Sequence, residues 1–240
     1  MPYRRLPNTD TARLKAIKTA LEKGKELPPQ KLAFSPKSII RLEKILPLFE
    51  NNIRLYRHAI VEQSKRNLDY NEILKKTRIY LTHFIRVMNM AIFRGELSAE
   101  TRTFYAIPKA DSSVPSLSTE NELLSWGRRI IEGEEFRIRK GGNPVTNPSI
   151  AMVKVRFEAF NEACSYHKLL EKKTIDFMEK NTELRLESDE IILQVWNEVE
   201  NHHKLFPEEQ RMKLNESYGI KYFYRKNEQG NISISNPFIH

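Results

Sequence analysis

One apolar pattern constrains the fold of this chain more than any other. Between residues 39 and 60, apolar side chains recur at alternating offsets of 3 and 4, at Ile39, Leu42, Leu46, Phe49, Ile53, Tyr56 and Ile60. This heptad spacing requires a long helix with one face packed against other helices. Pro47 lies inside the seam, yet the pattern has the same phase on both sides. We therefore expect one helix with a kink at Pro47.

Two further helices are predicted, one before this seam and one after it. Thr9 and Asp10 are good N-cap residues and Gly24 is a good stop, which indicates a helix between them. After the polar stretch 67–71, which we expect to be a short turn, a wide apolar arc runs to Gly95. A helix that is apolar over so wide an arc is typical of the centre of a bundle.

The second half of the chain also has apolar residues at heptad spacing. Thr119 and Glu122 have the spacing of a capping box and predict a helix that ends near Lys140. Asn147-Pro148 is then expected to start the next helix, as a cap followed by proline at the first position. Its seam consists of Ile150, Val153, Phe157, Phe160, Cys164 and His167. A separate helix is indicated by Ser188, Ile192, Val195, Val199, His202 and Phe206.

Near the end of the chain the apolar period changes from helical to alternating. Residues 220–225 and 231–235 alternate, and residues 226–230 between them have the composition of a hairpin loop. The predicted fold class is therefore mainly α: an antiparallel up-and-down bundle of five to six long helices with a small C-terminal β-hairpin.

Domain organisation follows from one connector. Residues 96–117 contain Pro108, Pro115 and a cluster of serines, and they interrupt the helical patterns. We expect a single helical domain over residues 1–240, with a subdivision into 1–95 and 118–240 as the alternative.

Charge is distributed unevenly between the two halves. Residues 1–120 contain 22 Lys and Arg against 12 Asp and Glu, whereas residues 121–240 contain 18 against 19. The excess is consistent with solvated helix surfaces, and it leaves open the binding of nucleic acid. The cations that a nucleic acid would meet first are Arg54, Arg57, Lys65, Arg66, Lys75, Lys76 and Arg78. Tyr56 and Tyr80 lie on seams, so we expect them to pack inward rather than stack on bases.

Compartment is inferred from cysteine content and hydropathy. Cys164 is the only cysteine, which excludes an intrachain disulfide and favours a reducing compartment. The basic start of the chain leads into no apolar signal segment, and no apolar run approaches the ~18 residues of a membrane span. We expect a soluble, cytoplasmic protein that does not bind membranes.

The loop between the helix that ends near Lys140 and the helix expected to start at Asn147-Pro148 combines cations with glycines. Gly141 and Gly142 permit close approach of a ligand to the backbone, and a helix N-terminus at Asn147 would supply free amides for an anion. The candidate anion-binding residues are Arg128, Arg129, Arg137, Arg139, Lys140 and Asn147. The same residues are also explained by helix capping alone, with cations at a helix C-terminus and glycine after it.

Fragments of two catalytic patterns are present. Cys164 and His167 share a helix face, which allows a nucleophile–base pair, although a cysteine on an apolar stripe is more often a core residue. Glu200 and His203 form one Glu-x-x-His pair, with His202 beside them, whereas a di-iron bundle needs two such pairs and further carboxylates. We therefore predict no catalytic residues, no metal site and no cofactor, and leave open whether His167, His202 and His203 converge.

Three segments carry a resemblance to other proteins. They are residues 1–10, the loop 139–148 and the helix segment 189–200, and they resemble those of a family of uncharacterised bacterial all-helical proteins. The resemblance implies a helical fold and transfers no functional residue.

The sequence has several regular helical seams and no complete catalytic motif, which favours a non-enzymatic protein. The sequence predicts a helical bundle that acts through protein–protein interaction, with a different protein or with another copy of itself. Two alternatives stay open: anion or nucleic-acid binding through the basic first half and the glycine loop, and metal-dependent catalysis in the bundle core.

Overall fold

A computed structural model describes residues 3–223 of the chain. The helices are α1 (Asp10–Glu26), α2 (Pro36–Phe93), α3 (Glu120–Arg139), α4 (Ile150–His202) and α5 (Glu208–Glu216). Short 3₁₀ helices lie at Pro29–Lys31 and Ala99–Tyr105, and two strands, β1 (Tyr3–Arg4) and β2 (Tyr222–Phe223), pair in an antiparallel manner. The predicted class, packed helices with a small two-stranded antiparallel element, is confirmed.

The partner of β2 differs from the one that the alternating pattern indicated. Tyr222 pairs with Arg4, and Phe223 pairs with Tyr3, so the element joins the beginning of the described chain to its end. The second predicted strand, 231–235, lies outside the described residues. A two-residue strand such as β1 has too few positions to show alternation, so its role could not be recognised from the sequence.

Helix α2 is one helix of 58 residues. It continues through Pro47, as the constant phase of its seam predicts. The turn predicted at 67–71 is wrong, because the helix continues through these residues as well. None of them is glycine or proline, and buried Tyr70 among them holds the helix to the core by stacking on Phe160.

Helix α4 is also longer than predicted. It has 53 residues and joins the two separate seams of the second half. Residues 171–187 weaken the apolar pattern, but they contain neither glycine nor proline, so the backbone has no cause to leave the helix. The predicted helix start at Asn147-Pro148 is wrong by a few residues, since α4 begins at Ile150.

The described chain divides into two compact units. The first combines the residues up to His58 with those from Ile175 onward, and the second consists of Ala59–Thr174. The connector 96–117 lies inside the second unit, so this division does not follow the sequence connector. Among residues 3–223, no helix is long and apolar enough to cross a membrane.

In the first unit, α1, the part of α2 up to His58 and the part of α4 from Ile175 onward enclose one core. Its larger buried side chains are Ile17, Phe34, Leu42, Ile45, Phe49, Ile191, Val195, Trp196, Val199 and Tyr218. Bidentate ion pairs tie α1 to α4: Arg13 binds Asp189 with two bonds of 2.8 Å, and Arg185 binds Asp10 at 2.6 and 2.8 Å.

The second unit has its own core, between the remaining parts of α2 and α4 and the whole of α3. Its larger buried side chains are Tyr70, Leu81, Phe84, Ile85, Met88, Tyr105, Leu123, Ile130, Phe157, Phe160 and Cys164. Most seam positions that the sequence predicted here are buried or half-buried, which confirms the inward faces of α2 and α4. The opposite faces of these helices are then left to solvent.

Candidate functional site

The glycine loop closes the C-terminal end of α3. Lys140 is the capping residue, and Gly141 follows with φ = +88°, a left-handed conformation that glycine adopts without strain. The Gly142 amide donates to the Arg137 carbonyl at 3.1 Å. The alternative interpretation of these glycines, as a helix C-cap, therefore describes what the backbone does here.

Arg137 is a buried member of an ion pair. It donates from Nε and Nη2 to Glu134 at 2.7 and 2.8 Å, and Nη2 also donates to the Asn143 carbonyl at 2.6 Å. Glu134, which is 0% exposed, also accepts from the Val145 amide at 2.8 Å and from the Tyr105 hydroxyl. Arg137 therefore binds its own helix to the loop, and its side chain is not presented to solvent.

The charges of this cluster are held in their ionised form. Burial alone raises the pKa of Glu134, but the hydrogen bonds from Arg137, Tyr105 and the Val145 amide outweigh burial and lower that pKa below its ordinary value. Burial and the neighbouring Glu134 raise the pKa of Tyr105, so the phenol stays a hydrogen-bond donor. A closed network of this kind stabilises the structure and has no unengaged group for chemistry.

Close backbone contact makes the network fit together. A Cβ atom on Gly133 would lie 2.4 Å from the carbonyl oxygen of Phe104 and 2.9 Å from the Tyr105 ring. Only glycine allows α3 to approach the Ala99–Tyr105 helix this closely, which brings the Tyr105 hydroxyl to Glu134. Gly133 inside a helical pattern was the available sequence signal for this contact.

The other predicted anion-binding residues are spread over the surface of α3 and the loop. Arg128, Arg129, Arg139 and Lys140 are exposed, as is Asn147. Two of the cations lie over aromatic rings: Arg129 over Trp126 at 5.0 Å and Lys140 over Phe136 at 5.4 Å from the ring centroids. Anion binding at these residues stays a prediction.

The helix start beyond the loop is made by a different residue from the predicted one. Asn147 has φ = +57°, and its peptide bond to Pro148 is cis. The Ser149 hydroxyl accepts from the Met152 amide at 3.4 Å, and the Ser149 carbonyl accepts from Val153 at 3.2 Å. Ser149 therefore caps α4, so Asn147 lies outside the first helical turn and its free amides.

Cys164 and His167 each take a different partner. The Cys164 thiol donates to one oxygen of Glu120 at 3.5 Å, and the Tyr70 hydroxyl donates to the other oxygen. The His167 ring stacks on Tyr70 with centroids 4.4 Å apart, and its Nε2 lies 2.8 Å from the Asn67 amide oxygen. Burial and the neighbouring Glu120 raise the pKa of the Cys164 thiol. A buried thiol with a raised pKa is a poor nucleophile, which fits a core role.

The two histidines after Glu200 have different environments. His202, predicted on the seam, is exposed, whereas His203 is buried. His203 Nδ1 lies 2.8 Å from Asn215 Oδ1, and the Asn215 amide donates to the Tyr222 hydroxyl at 2.8 Å. Tyr222 in turn donates to Glu200 at 2.8 Å. Within residues 3–223, no group of three or more His, Cys, Asp or Glu side chains could hold a metal ion.

Several cations of the basic first half already have partners. Arg78 donates to the Leu117 and Ser118 carbonyls at 2.8 Å, and Lys76 pairs with Glu72 at 3.3 Å. Tyr80 is half-buried and lies under Arg156, with the guanidinium 5.4 Å from its centroid. Nucleic-acid binding stays a prediction.

A cavity of about 330 Å³ lies in the first unit, between α2 and α4. It is lined by Lys44, Leu48, Asn51, Asn52, Lys180, Leu184 and Glu187. Buried Asn52 donates to the Phe177 carbonyl at 3.2 Å and to Asn181 at 3.3 Å, and Lys180 pairs with Glu183 at 2.8 Å. Much of its polar wall is therefore engaged by the protein itself.

One surface in the second unit is both regular and apolar. On α4, opposite the buried seam, exposed residues recur at offsets of 3, 4, 3, 4 and 3. We call this the α4 outer face; its residues are Met152, Val155, Ala159, Glu162, Tyr166 and Leu169. Exposure reaches 62% at Val155 and 60% at Leu169. The sequence shows this second heptad as clearly as the first, but only the structure tells which of the two is buried.

The outward face of α2 in the same unit has a different character. Its exposed apolar residues are Val61, Leu68, Ile79, Met90 and Phe93. Charged residues alternate with them, namely Lys65, Glu72, Lys75 and Arg86. The α4 outer face contains only one charge, Glu162, so it is the more continuous apolar surface.

Comparison of the chain with protein-family models, with curated proteins and with solved structures finds no match. The resemblance to uncharacterised bacterial proteins stays a prediction. What the chain does must therefore be inferred from the geometry of its own residues.

Proposed function

We propose that this chain is a non-enzymatic helical-bundle protein that acts through protein–protein interaction along a helix face. The observation that carries the proposal is the α4 outer face, where five exposed apolar residues and one glutamate recur at heptad spacing on a long, regular helix. Contiguous apolar surface of this kind marks interaction sites in folded proteins. A rigid helix loses little conformational entropy when a partner packs against it, because its backbone is already ordered.

The polar clusters support the same interpretation. Arg137 donates to Glu134, the Cys164 thiol donates to the Glu120 carboxylate, and His203 hydrogen-bonds the Asn215 amide oxygen. Each of these three groups is used to hold elements together. Buried Cys164, the single cysteine, supports a reducing, cytoplasmic setting.

A charge placed in the α4 outer face tests the proposal. We expect the double substitution Val155→Glu with Leu169→Glu to abolish association, because two carboxylates would have to be desolvated in the contact. The matched control is Leu205→Glu, which places the same charge at a 90% exposed residue outside this face. Association is measured by light scattering over a range of concentrations, by cross-linking, and by pull-down from native lysate.

The expected result is that the wild-type chain and the Leu205→Glu control associate equally and that the double variant does not. Circular dichroism and thermal melting show whether the double variant keeps its fold. A wild-type chain that is strictly monomeric and recovers no partner would overturn the proposal. So would a folded double variant that associates as well as the wild type.

A further inference from the structure

Arg102, in the second unit, is a buried cation whose hydrogen-bond partners in the described chain are all neutral. Only 8% of its surface is exposed. Its Nε donates to the Asn89 amide oxygen at 2.8 Å, and its Nη1 donates to the Lys109 carbonyl at 2.7 Å. No carboxylate within residues 3–223 forms an ion pair with this guanidinium. Buried arginines in proteins are almost always paired with an anion, so the charge of Arg102 lacks its usual counter-ion.

The outer end of the guanidinium is accessible. An arginine has five N–H donors, and two of them are used here, which leaves three on Nη1 and Nη2. Among the described residues, Ser188 Oγ is the only side-chain nitrogen or oxygen that is both fully enclosed and unbonded. Nη2 of Arg102 has no bond, so it is not fully enclosed. The exposed part of Arg102 therefore includes Nη2, where a ligand from solvent can reach it.

Local structure holds the guanidinium in place. Arg102 lies in the 3₁₀ helix Ala99–Tyr105, and the chain reverses at Ala106, which has φ = +57°. The Ile107 amide donates to the Arg102 carbonyl at 3.1 Å, and two residues later the Lys109 carbonyl returns to the Arg102 side chain. A planar group that is already held at two of its nitrogens loses little entropy when a ligand binds to the third.

The charges near Arg102 are engaged elsewhere. Glu100 pairs with the Lys109 ammonium at 2.9 Å. The exposed Asp111 carboxylate accepts from the Ser113 amide at 2.8 Å. Hydrogen bonds from Ser113 lower the pKa of Asp111, and the charge of Arg102 adds a smaller contribution. Asp111 is therefore close enough to interact with Arg102, but solvent screens this interaction and the carboxylate does not occupy the guanidinium.

We propose that Arg102 anchors a binding site for a small oxyanion group, a phosphate or a carboxylate. The planar guanidinium matches two oxygens of such a group, and the resulting hydrogen bonds are charge-assisted. Exposed Arg86 lies one helical turn before Asn89 and has no ion pair in the part of the chain that the structure describes, so it adds positive charge beside the site. The site uses no residue of the α4 outer face, so its failure would leave the proposed function untouched.

Three anions test the site: inorganic phosphate, acetate and chloride. Each is titrated into the full chain at one ionic strength, and binding is measured by calorimetry and by the shift of the thermal melting temperature. We expect a dissociation constant on the order of millimolar for the preferred oxyanion, because one guanidinium makes most of the contact. Tighter binding of phosphate than of acetate identifies a phosphate group as the ligand, and the reverse order identifies a carboxylate. Chloride should bind more weakly than either, because it cannot accept from two donors in the geometry of two bonded oxygens.

Two variants assign the binding to Arg102. Arg102→Lys keeps the charge and loses the planar fork, so we expect roughly tenfold weaker binding of the preferred oxyanion. Its control is Arg128→Gln, which removes an exposed cation of α3 and should leave the affinity unchanged. Asp111→Asn removes the negative charge near the site and should strengthen binding by roughly threefold. Its control is Asp176→Asn, the same change at an exposed residue of the first unit, which should have no effect.

Several outcomes would overturn the site. They are a wild-type chain that binds neither phosphate nor acetate, equal binding of all three anions, and a folded Arg102→Lys chain that binds as tightly as the wild type. Loss of binding in Arg128→Gln would place the anion on α3 instead. If circular dichroism shows that Arg102→Lys does not fold, Asp111→Asn decides alone, because this exposed residue contributes no bond to the guanidinium. An affinity that is the same in Asp111→Asn and in Asp176→Asn would then overturn the proposal.

Discussion

At the scale of single residues, we expect the largest loss of stability from a substitution in the buried ion pair of Glu134 and Arg137. Both side chains are buried, and Glu134 accepts hydrogen bonds from Arg137, Tyr105 and the Val145 amide. Glu134→Gln leaves the Arg137 charge without its partner, which should lower the free energy of unfolding by about 3–5 kcal/mol. Urea unfolding followed by circular dichroism measures this loss.

The neighbouring Glu135 provides the matched control. It pairs with Lys154 at 3.0 Å, but 40% of the Glu135 side chain and 48% of the Lys154 side chain are exposed. Solvent screens such a pair, so Glu135→Gln should leave the unfolding midpoint nearly unchanged. Equal midpoints for Glu134→Gln and Glu135→Gln would contradict the role that we assign to the buried pair.

The sequence could not separate these two glutamates, which are adjacent and have cations at helical spacing. The difference is made by the Ala99–Tyr105 helix, which covers Glu134 because Gly133 lets it approach. The same limitation explains why Arg137 was grouped with exposed Arg139 and Lys140 as an anion-binding residue. Burial of a charge depends on contacts between distant segments, which periodicity within one helix does not report.

At the scale of elements, the start of α2 depends on a carboxylate from α4. Glu198 accepts from the Ser35 amide at 2.6 Å and from the Ser38 hydroxyl at 3.0 Å, where free amides and the helix dipole favour negative charge. Burial raises the pKa of Glu198, but the bonds from Ser35, Gln194 and Ser38 outweigh burial and lower it. The carboxylate therefore holds α2 and α4 together most strongly when it is ionised.

We expect Glu198→Gln to lower the free energy of unfolding by about 1–2 kcal/mol at pH 7. Because the folded pKa is below the unfolded value of about 4.3, this contribution is present above that pH and is lost as pH falls through the folded pKa. The difference between wild type and variant should therefore shrink in acid. Urea unfolding from pH 7 to pH 3 measures it, with exposed Glu190→Gln as control. A difference independent of pH would contradict the electrostatic origin.

Element types were predictable from the sequence, and element lengths were not. The heptad seams and the capping box of Thr119 and Glu122 placed helices correctly. The turn predicted at 67–71 and the separation within α4 came from polar composition, which does not break a helix when glycine and proline are absent. A helix that stays regular through a polar stretch can be held by a single buried residue, as Tyr70 does here.

At the scale of the whole molecule, the first compact unit combines two segments that are far apart in the chain, whereas the second is the continuous segment Ala59–Thr174. The sequence predicts a single domain and offers the connector 96–117 as the alternative boundary, because proline and serine interrupt the helices there. The second unit instead contains that connector, since Tyr105 and Ile107 within it are buried in the core. Contacts of this kind join residues whose local patterns are unrelated, so no single window of the sequence indicates them.

The two ends of the described chain meet at one network. The Tyr222 hydroxyl donates to Glu200 and accepts from buried Asn215, while Arg4 of the paired strand donates to Glu200 at 2.9 Å. Burial, with a further contribution from Glu200, raises the pKa of Tyr222 to about 12. A single hydroxyl thus connects β2 with α4 and α5.

Tyr222→Phe should lower the free energy of unfolding by about 1–2 kcal/mol at neutral pH, because the buried Asn215 amide loses its acceptor. The raised pKa also fixes the pH dependence. An unfolded tyrosine loses its proton near pH 10, whereas folded Tyr222 keeps it to about 12, so the stabilisation is complete below pH 10 and is lost as pH rises through that window. Denaturant unfolding from pH 8 to pH 11.5 should show the stability of the wild type approaching that of the variant.

The control is Tyr3→Phe, at an exposed residue of the same sheet, which should show neither effect. A Tyr222→Phe chain as stable as Tyr3→Phe would contradict the role of this network.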